Sequence, residues 1–202
     1  MKKILITGIL ILSLVGLVFA AQGGGSSAND GSGAQYGNLD SGEGTQFKLM
    51  KGEYANEAGQ QMQVQEMANN RIRLNVGGVS TDCDCELTQE IVQNRTRLKM
   101  KLSNGQNAEV KIMPDVASER ALERLRLKVC SEENGCSIEL KEVAQGKEVK
   151  AVYELKTQRQ SKVFGIFQRR MHVQAQVDSE TGEIIRTKKP WWAFLATEPK
   201  GE

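Results

Sequence analysis

RIRLNVGGVSTDCDCEL, residues 71–87, is the stretch whose reading decides the fold. Ile72, Leu74 and Val76 alternate with Arg71, Arg73 and Asn75, the two-residue period of a half-buried strand. In DCDCEL the period returns, with Cys83, Cys85 and Leu87 on one side and Asp82, Asp84 and Glu86 on the other. RTRLKMKL sets Thr96, Leu98, Met100 and Leu102 against Arg95, Arg97, Lys99 and Lys101, and NAEVKI sets Ala108, Val110 and Ile112 against Glu109 and Lys111. Four consecutive strands of this kind predict an antiparallel β-meander with one dry face. Its wet face reads basic, acidic, basic, so the acids of TDCDCE are expected to answer cations on neighbouring strands.

The turn at Ser103-Asn104-Gly105 fixes the register. A two-residue loop would set Lys99 opposite Val110 and bring a lysine to the dry face. A three-residue loop with a left-handed Gly105 instead pairs Met100 with Ala108 and Leu98 with Val110, keeping every apolar side chain inside.

PDVASERALERLRL then predicts a helix, with Asp115 as N-cap and Ala117, Ala121, Leu122 and Leu125 on one face. Strands resume in CSIELKEV and KEVKAVYELKT, whose Val149, Ala151, Tyr153 and Leu155 alternate inward. VFGIF, residues 163–167, reads as a short apolar corner, and MHVQAQVD with GEIIRT as a last hairpin around SETG. The fold class predicted is α+β: an antiparallel β-meander over 47–113, then one helix and further antiparallel strands over 114–196, with a polar tail over 197–202.

At the other end, MKKILITGILILSLVGLVFA has the anatomy of an export signal: Lys2 and Lys3, then an apolar run from Ile4 to Phe19, then Ala20. Cleavage after Ala20 is the simplest reading. An uncleaved membrane anchor is the alternative, since the run of about 16 residues falls just under the roughly 17 to 25 that span a bilayer. Either way, residues after 20 are expected outside the cytoplasm, secreted or anchored by residues 4–19. Residues 21–46, rich in Gly, Ser and Asn, read as a disordered tether. Without Lys2 and Lys3, the 27 basic residues fall to 25 against 25 acidic ones, a balance that argues against a nucleic-acid binder.

Export favours disulfides for Cys83, Cys85, Cys130 and Cys136. Cys130 and Cys136 flank a short polar loop and are placed for a local bridge. Cys83 and Cys85 would stand nearly 7 Å apart in a flat strand, so a bridge between them needs a bulge. Cross-links from Cys83 and Cys85 to Cys130 and Cys136, or a four-thiolate zinc site, stay open as alternatives, although zinc knuckles space their cysteines by two residues. No other metal or cofactor is expected. His172, the single histidine, falls on the polar face of its strand with no nucleophile motif elsewhere, so no catalytic residue is assigned. Asn94-Arg95-Thr96 is a glycosylation sequon. In KKPWWAFL, Trp191, Trp192 and Phe194 are candidates for contact with a partner or a membrane; the competing expectation is that the tryptophans fold back over a core poor in aromatics.

The order ERALERL, SIELKEV, AVYELKT and VQAQVDSETGEII, over about residues 116–189, resembles the PepSY domain, a small exported α+β module. The similarity is densest at Val177, Asp178, Thr181, Gly182, Glu183 and Ile184, where Asp178 can cap a turn and Gly182 can take a positive φ. RQSKVFGIFQRR and the two cysteines after the helix depart from the pattern, and the meander lies outside it. The resemblance implies a non-catalytic module, associated with inhibition in thermolysin-type propeptides. The function expected is therefore an exported, non-enzymatic binding module, peptidase-inhibitor-like or directed at an envelope partner. A four-cysteine metal-binding or redox protein is the alternative.

Overall fold

Period-two alternation carries most of the chain into strands, and its one amphipathic stretch supplies the helix. The computed structural model describes residues 46–130 and 135–197, so the expected signal or anchor, nearly all of the tether and most of the polar tail lie outside the described residues. In chain order the strands are β1 (Gln46–Lys48), β2 (Gly52–Ala55), β3 (Gln61–Glu66), β4 (Ile72–Val76), β5 (Val79–Cys83), β6 (Leu87–Val92), β7 (Arg95–Lys101) and β8 (Asn107–Val110). Helix α1 (Pro114–Leu125) follows, then β9 (Ser137–Gln145), β10 (Glu148–Val163), β11 (Phe167–Asp178), β12 (Ile184–Lys188) and β13 (Ala196–Thr197). The class is as expected: antiparallel strands, one helix, further antiparallel strands. The parallel pairing of β5 with β9 makes the larger sheet mixed.

DCDCEL is not a single strand. β5 ends at Cys83, the chain bends at Cys85, and β6 begins at Leu87. The physical reason is the approach of the two cysteines: their Cα atoms stand 5.2 Å apart, too close for an extended chain. The bend divides the expected meander between two sheets, β1-β6-β7-β8 and β12-β11-β10-β9-β5-β4-β3-β2. The acids nevertheless answer cations on both sides of it. Arg73 donates to Asp82 at 2.6 and 3.1 Å, and its hydrogen bond, helped by the charge of Arg71, holds that carboxyl below its usual range against the opposing effect of burial. Glu86, across the bend, pairs with Lys101 at 3.0 Å in the other sheet.

The three-residue loop forms as predicted. Gly105 takes φ +82°, and Met100 faces Ala108 and Leu98 faces Val110. Asp115 is not the N-cap of α1; Met113 holds that position because Pro114, whose fixed φ suits the first helical residue, starts the helix two residues earlier. Asp115 instead accepts a hydrogen bond from Gln60 at 2.9 Å. Arg126 ends the helix in the left-handed conformation, φ 56°.

Ala117, Ala121 and Leu125 of α1 join one contiguous core with Met62, Leu74 and Cys83 from the larger sheet and Leu87, Leu98 and Met100 from the smaller. Strands from 47–113 and from 114–196 thus share a sheet and a core, joined where Cys83 faces Leu140. Fully burying a side chain such as Leu140 contributes about 1.5 to 3 kcal/mol. Tyr153, buried opposite it on β10, donates its hydroxyl to the carbonyl of Ile112 at 2.9 Å.

Candidate functional site

β10 and β11 outrun their neighbours. β9 accompanies β10 only from Glu148 to Lys156, and β12 accompanies β11 only from Gln174 to Val177. Beyond those points, from Thr157 round to Val173, the two strands continue as a hairpin arm, in register from Thr157↔Val173 to Val163↔Phe167. RQSKVFGIFQRR, the departure from the PepSY pattern, is therefore the outer part of this arm. Its turn runs through Phe164 and Gly165, both with positive φ (53° and 71°), a conformation that glycine adopts freely and phenylalanine does not.

A two-stranded ribbon is marginal by itself. Here the chain after β12 straps it. β12 lies beyond β11, β13 lies beyond β10, and the 3-10 turn Trp191–Leu195 connects them across the arm. Val163 pairs with Ala196, and the Phe164 amide donates to the Leu195 carbonyl at 3.1 Å. Trp192 and Ala193 pack against the core, so the strap crosses the arm on its dry face. At the base, Arg159 donates to the Leu125 carbonyl that ends α1, at 3.2 Å.

The two tryptophans part company. Trp192 folds back as the core-sealing expectation has it, while Trp191 is 79% exposed. Phe164, Ile166, Phe167 and Phe194 are exposed at the same end of the molecule, at 64 to 76%. Apolar side chains this large, gathered on one tip, mark an interaction surface. Sequence reading found Trp191 and Phe194 but took VFGIF for a corner. The missed signal was that cations and glutamines flank it on both sides, leaving no apolar period to bury it.

Charge is segregated to the arm and to β12 beside its base. From Leu155 to Val177 and from Ile184 to Thr197 there is no Asp or Glu, while Lys162, Arg169, Arg170, Arg186, Lys188 and Lys189 are all exposed. None of these six makes an ion pair among the described residues. In the sheets several cations are matched: Lys99 pairs with Glu90 at 2.7 Å, Arg97 with Glu57 and Glu109 at 2.7 and 3.0 Å, and Lys150 with Asp178 at 3.4 Å. On the arm's polar face, Lys156, His172, Gln174, Lys188 and Lys189 line a shallow depression of about 470 Å³.

Beneath that depression lies a buried carboxylate. Glu154 is 2% exposed and receives Lys141 at 2.5 Å, Lys156 at 2.9 Å and Gln176 at 2.7 Å, with Gln174 also donating to it. Burial pushes its pKa up, but the hydrogen bonds from Lys141, Lys156 and Gln176 outweigh that and bring it to about 2. Saturated by donors and permanently charged, it is a structural anion rather than a general acid.

The cysteines stand apart from the arm's tip, in two local pairs: Cys83 with Cys85 and Cys130 with Cys136, each with Cα atoms 5.2 Å apart. Cys83 is fully buried, and Cys85 borders a second depression together with Glu66, Asp84 and Glu86. Among the described residues no three of His, Cys, Asp and Glu gather as metal ligands.

Asn94 is exposed in the β6–β7 turn with φ 60°, whereas Thr96 of its sequon is buried. Asp178 caps the last hairpin as its sequence suggested: one carboxylate oxygen accepts from the amides of Glu180 and Thr181 at 2.8 and 3.1 Å, and Gly182 takes φ +73°. The carbonyl of Ser179 in that turn accepts from the amides of Lys111 and Ile112, tying the hairpin to the chain end of β8. Comparisons with known family models, curated proteins and solved structures find no match.

Proposed function

We propose that this chain is a non-catalytic binding module that works outside the cytoplasm and engages its target through the strapped β10–β11 arm. The single observation that carries the reading is the exposed cluster of Phe164, Ile166, Phe167, Trp191 and Phe194 on a tip held by strand pairing rather than left as a loose loop. Water-exposed aromatic surface on this scale opposes solubility, so its retention on a rigid element supports recognition. The export-type N-terminus and the PepSY resemblance of residues 116–189 support the same reading, with inhibition of a peptidase or attachment to an envelope component as its two forms. The metal or redox alternative receives less support, because the four cysteines stand as two separate local pairs.

Replacing Phe164 by the photo-reactive benzoylphenylalanine, in cells that produce the protein, tests this directly. Irradiation is expected to yield adducts from position 164 and not from a control position at exposed Asn104 on the β7–β8 turn. Equal yields at both positions, or none at 164, overturn the proposal.

A further inference from the structure

We propose that the target of the arm is an anionic membrane surface, into which the tip inserts its apolar side chains while the cations behind it hold the headgroups. This rests on the reading of the arm as the binding element. Shape gives the first argument. The tip is a hairpin turn bearing exposed Phe164 and Ile166, joined to the 3-10 turn that bears Trp191 and Phe194 where the Phe164 amide meets the Leu195 carbonyl. A projecting hairpin tip with exposed aromatic side chains suits a deformable solvent such as the lipid interface, where tryptophan is favoured at headgroup level.

Charge gives the second. Lys162, Arg169 and Arg170 flank the tip and Arg186, Lys188 and Lys189 lie towards its base, six cations with no interspersed acid on a chain that is neutral after Ala20, so the matching acids lie elsewhere. An anionic leaflet attracts such a cluster, and each cation near the surface contributes about a fivefold gain in partitioning.

Spacing gives the third, and it separates a bilayer from a merely acidic partner. Lys162 precedes Phe164 by two residues, and Arg169 and Arg170 follow Phe167 by two and three. At about 3.3 Å per residue along a strand, the cations stand roughly 7 to 10 Å behind the apolar tip. That matches the roughly 5 to 10 Å by which apolar faces sink below the headgroups in interfacial binding.

The chain supplies its own reporter, since its two tryptophans are Trp191 and Trp192. The full-length protein is mixed with vesicles of phosphatidylglycerol and phosphatidylcholine carrying brominated acyl chains, and tryptophan emission is followed. Quenching reads the arm itself, whatever residues 4–19 do in the same bilayer. Expected are a blue shift and quenching on the anionic vesicles, weakened by salt and by omission of phosphatidylglycerol. R169Q/R170Q is expected to lower the lipid affinity of the quenching about 25-fold, and F164S/F167S about tenfold or more. Both pairs are exposed and leave the core untouched. Emission unchanged by anionic vesicles, equal quenching on pure phosphatidylcholine, or full quenching of F164S/F167S each overturns the proposal. If emission stays unchanged while position 164 still cross-links to an envelope protein, the membrane is excluded and the binding reading survives.

Discussion

Glu154→Gln offers the sharpest test of how the arm is founded. The side chain lies at the base of the arm, and its four donors come from β9, β10 and β11. A carboxyl held at about 2 instead of its usual 4.5 stabilises the folded state at neutral pH by about 3 kcal/mol. Lys141 and Lys156 keep 34% and 50% of their side chains in solvent, so screening trims the figure to about 2 to 3 kcal/mol. The amide variant removes the charge, keeps the volume and leaves two ammonium groups without a counter-ion. The sign follows from a depressed acid: the stabilisation is complete above the unfolded-state value near 4.5 and drains away as pH falls towards 2. Urea unfolding of wild type and E154Q between pH 2 and 8 should therefore show curves separated by about 2 to 3 kcal/mol at pH 7 and converging near pH 2. Parallel curves, or a gap under about 0.5 kcal/mol at pH 7, would refute the claim that the network anchors the arm.

Other substitutions probe the remaining devices. Trp192→Ala should cost about 2 kcal/mol of unfolding free energy by withdrawing the strap's packing, and Trp191→Ala less than about 0.5, as measured by denaturant midpoints. Asp178→Ala removes the acceptor of two amides and the partner of Lys150, for about 2 to 3 kcal/mol, whereas Asp178→Asn should keep much of the cap; the same unfolding assay separates them. Non-reducing tryptic mapping should return Cys83 and Cys85 in one peptide two hydrogens light, and any peptide joining them to Cys130 or Cys136 contradicts the local pairing. Cys130→Ser with Cys136→Ser opens a short loop and should lower stability by about 2 kcal/mol on thermal melting.

Which parts were readable in advance follows from where the physics is local. Leu98, Met100, Val110 and the left-handed Gly105 were legible because a one-residue slip would have buried Lys99, a penalty visible in sixteen consecutive residues of sequence. Asp178 and Gly182 were legible for the same reason, a turn being specified within itself. The split at Cys85 was not. In DCDCEL the alternation continues through the bend without a break, because Cys83 and Leu87 both face the core, though from different sheets. Period reports which face a residue takes and is silent on which sheet owns the face. The Asp115 cap failed on a competition between two local signals, in which Pro114 took the first helical position.

The arm shows how a long-range arrangement hides a surface that composition already contains. Overall neutrality of the chain after Ala20 argues against a charged target only if cations and anions mix, and here they do not. Acids concentrate where β-strands pair sideways, at Asp82, Glu86, Glu90 and Glu109, and each meets a lysine or arginine of its own or a neighbouring strand. A run of cations without ion pairs lies where β10 and β11 outrun β9 and β12, at Lys162, Arg169 and Arg170, and the β13 segment alongside carries no acid. Extending a hairpin beyond its sheet thus does two things at once: it removes the partners that would neutralise its charges, and it exposes an apolar turn that a longer sheet would have covered. A strap ending in Trp192 then becomes necessary, since a ribbon without sheet neighbours needs packing from elsewhere to keep its tip in place.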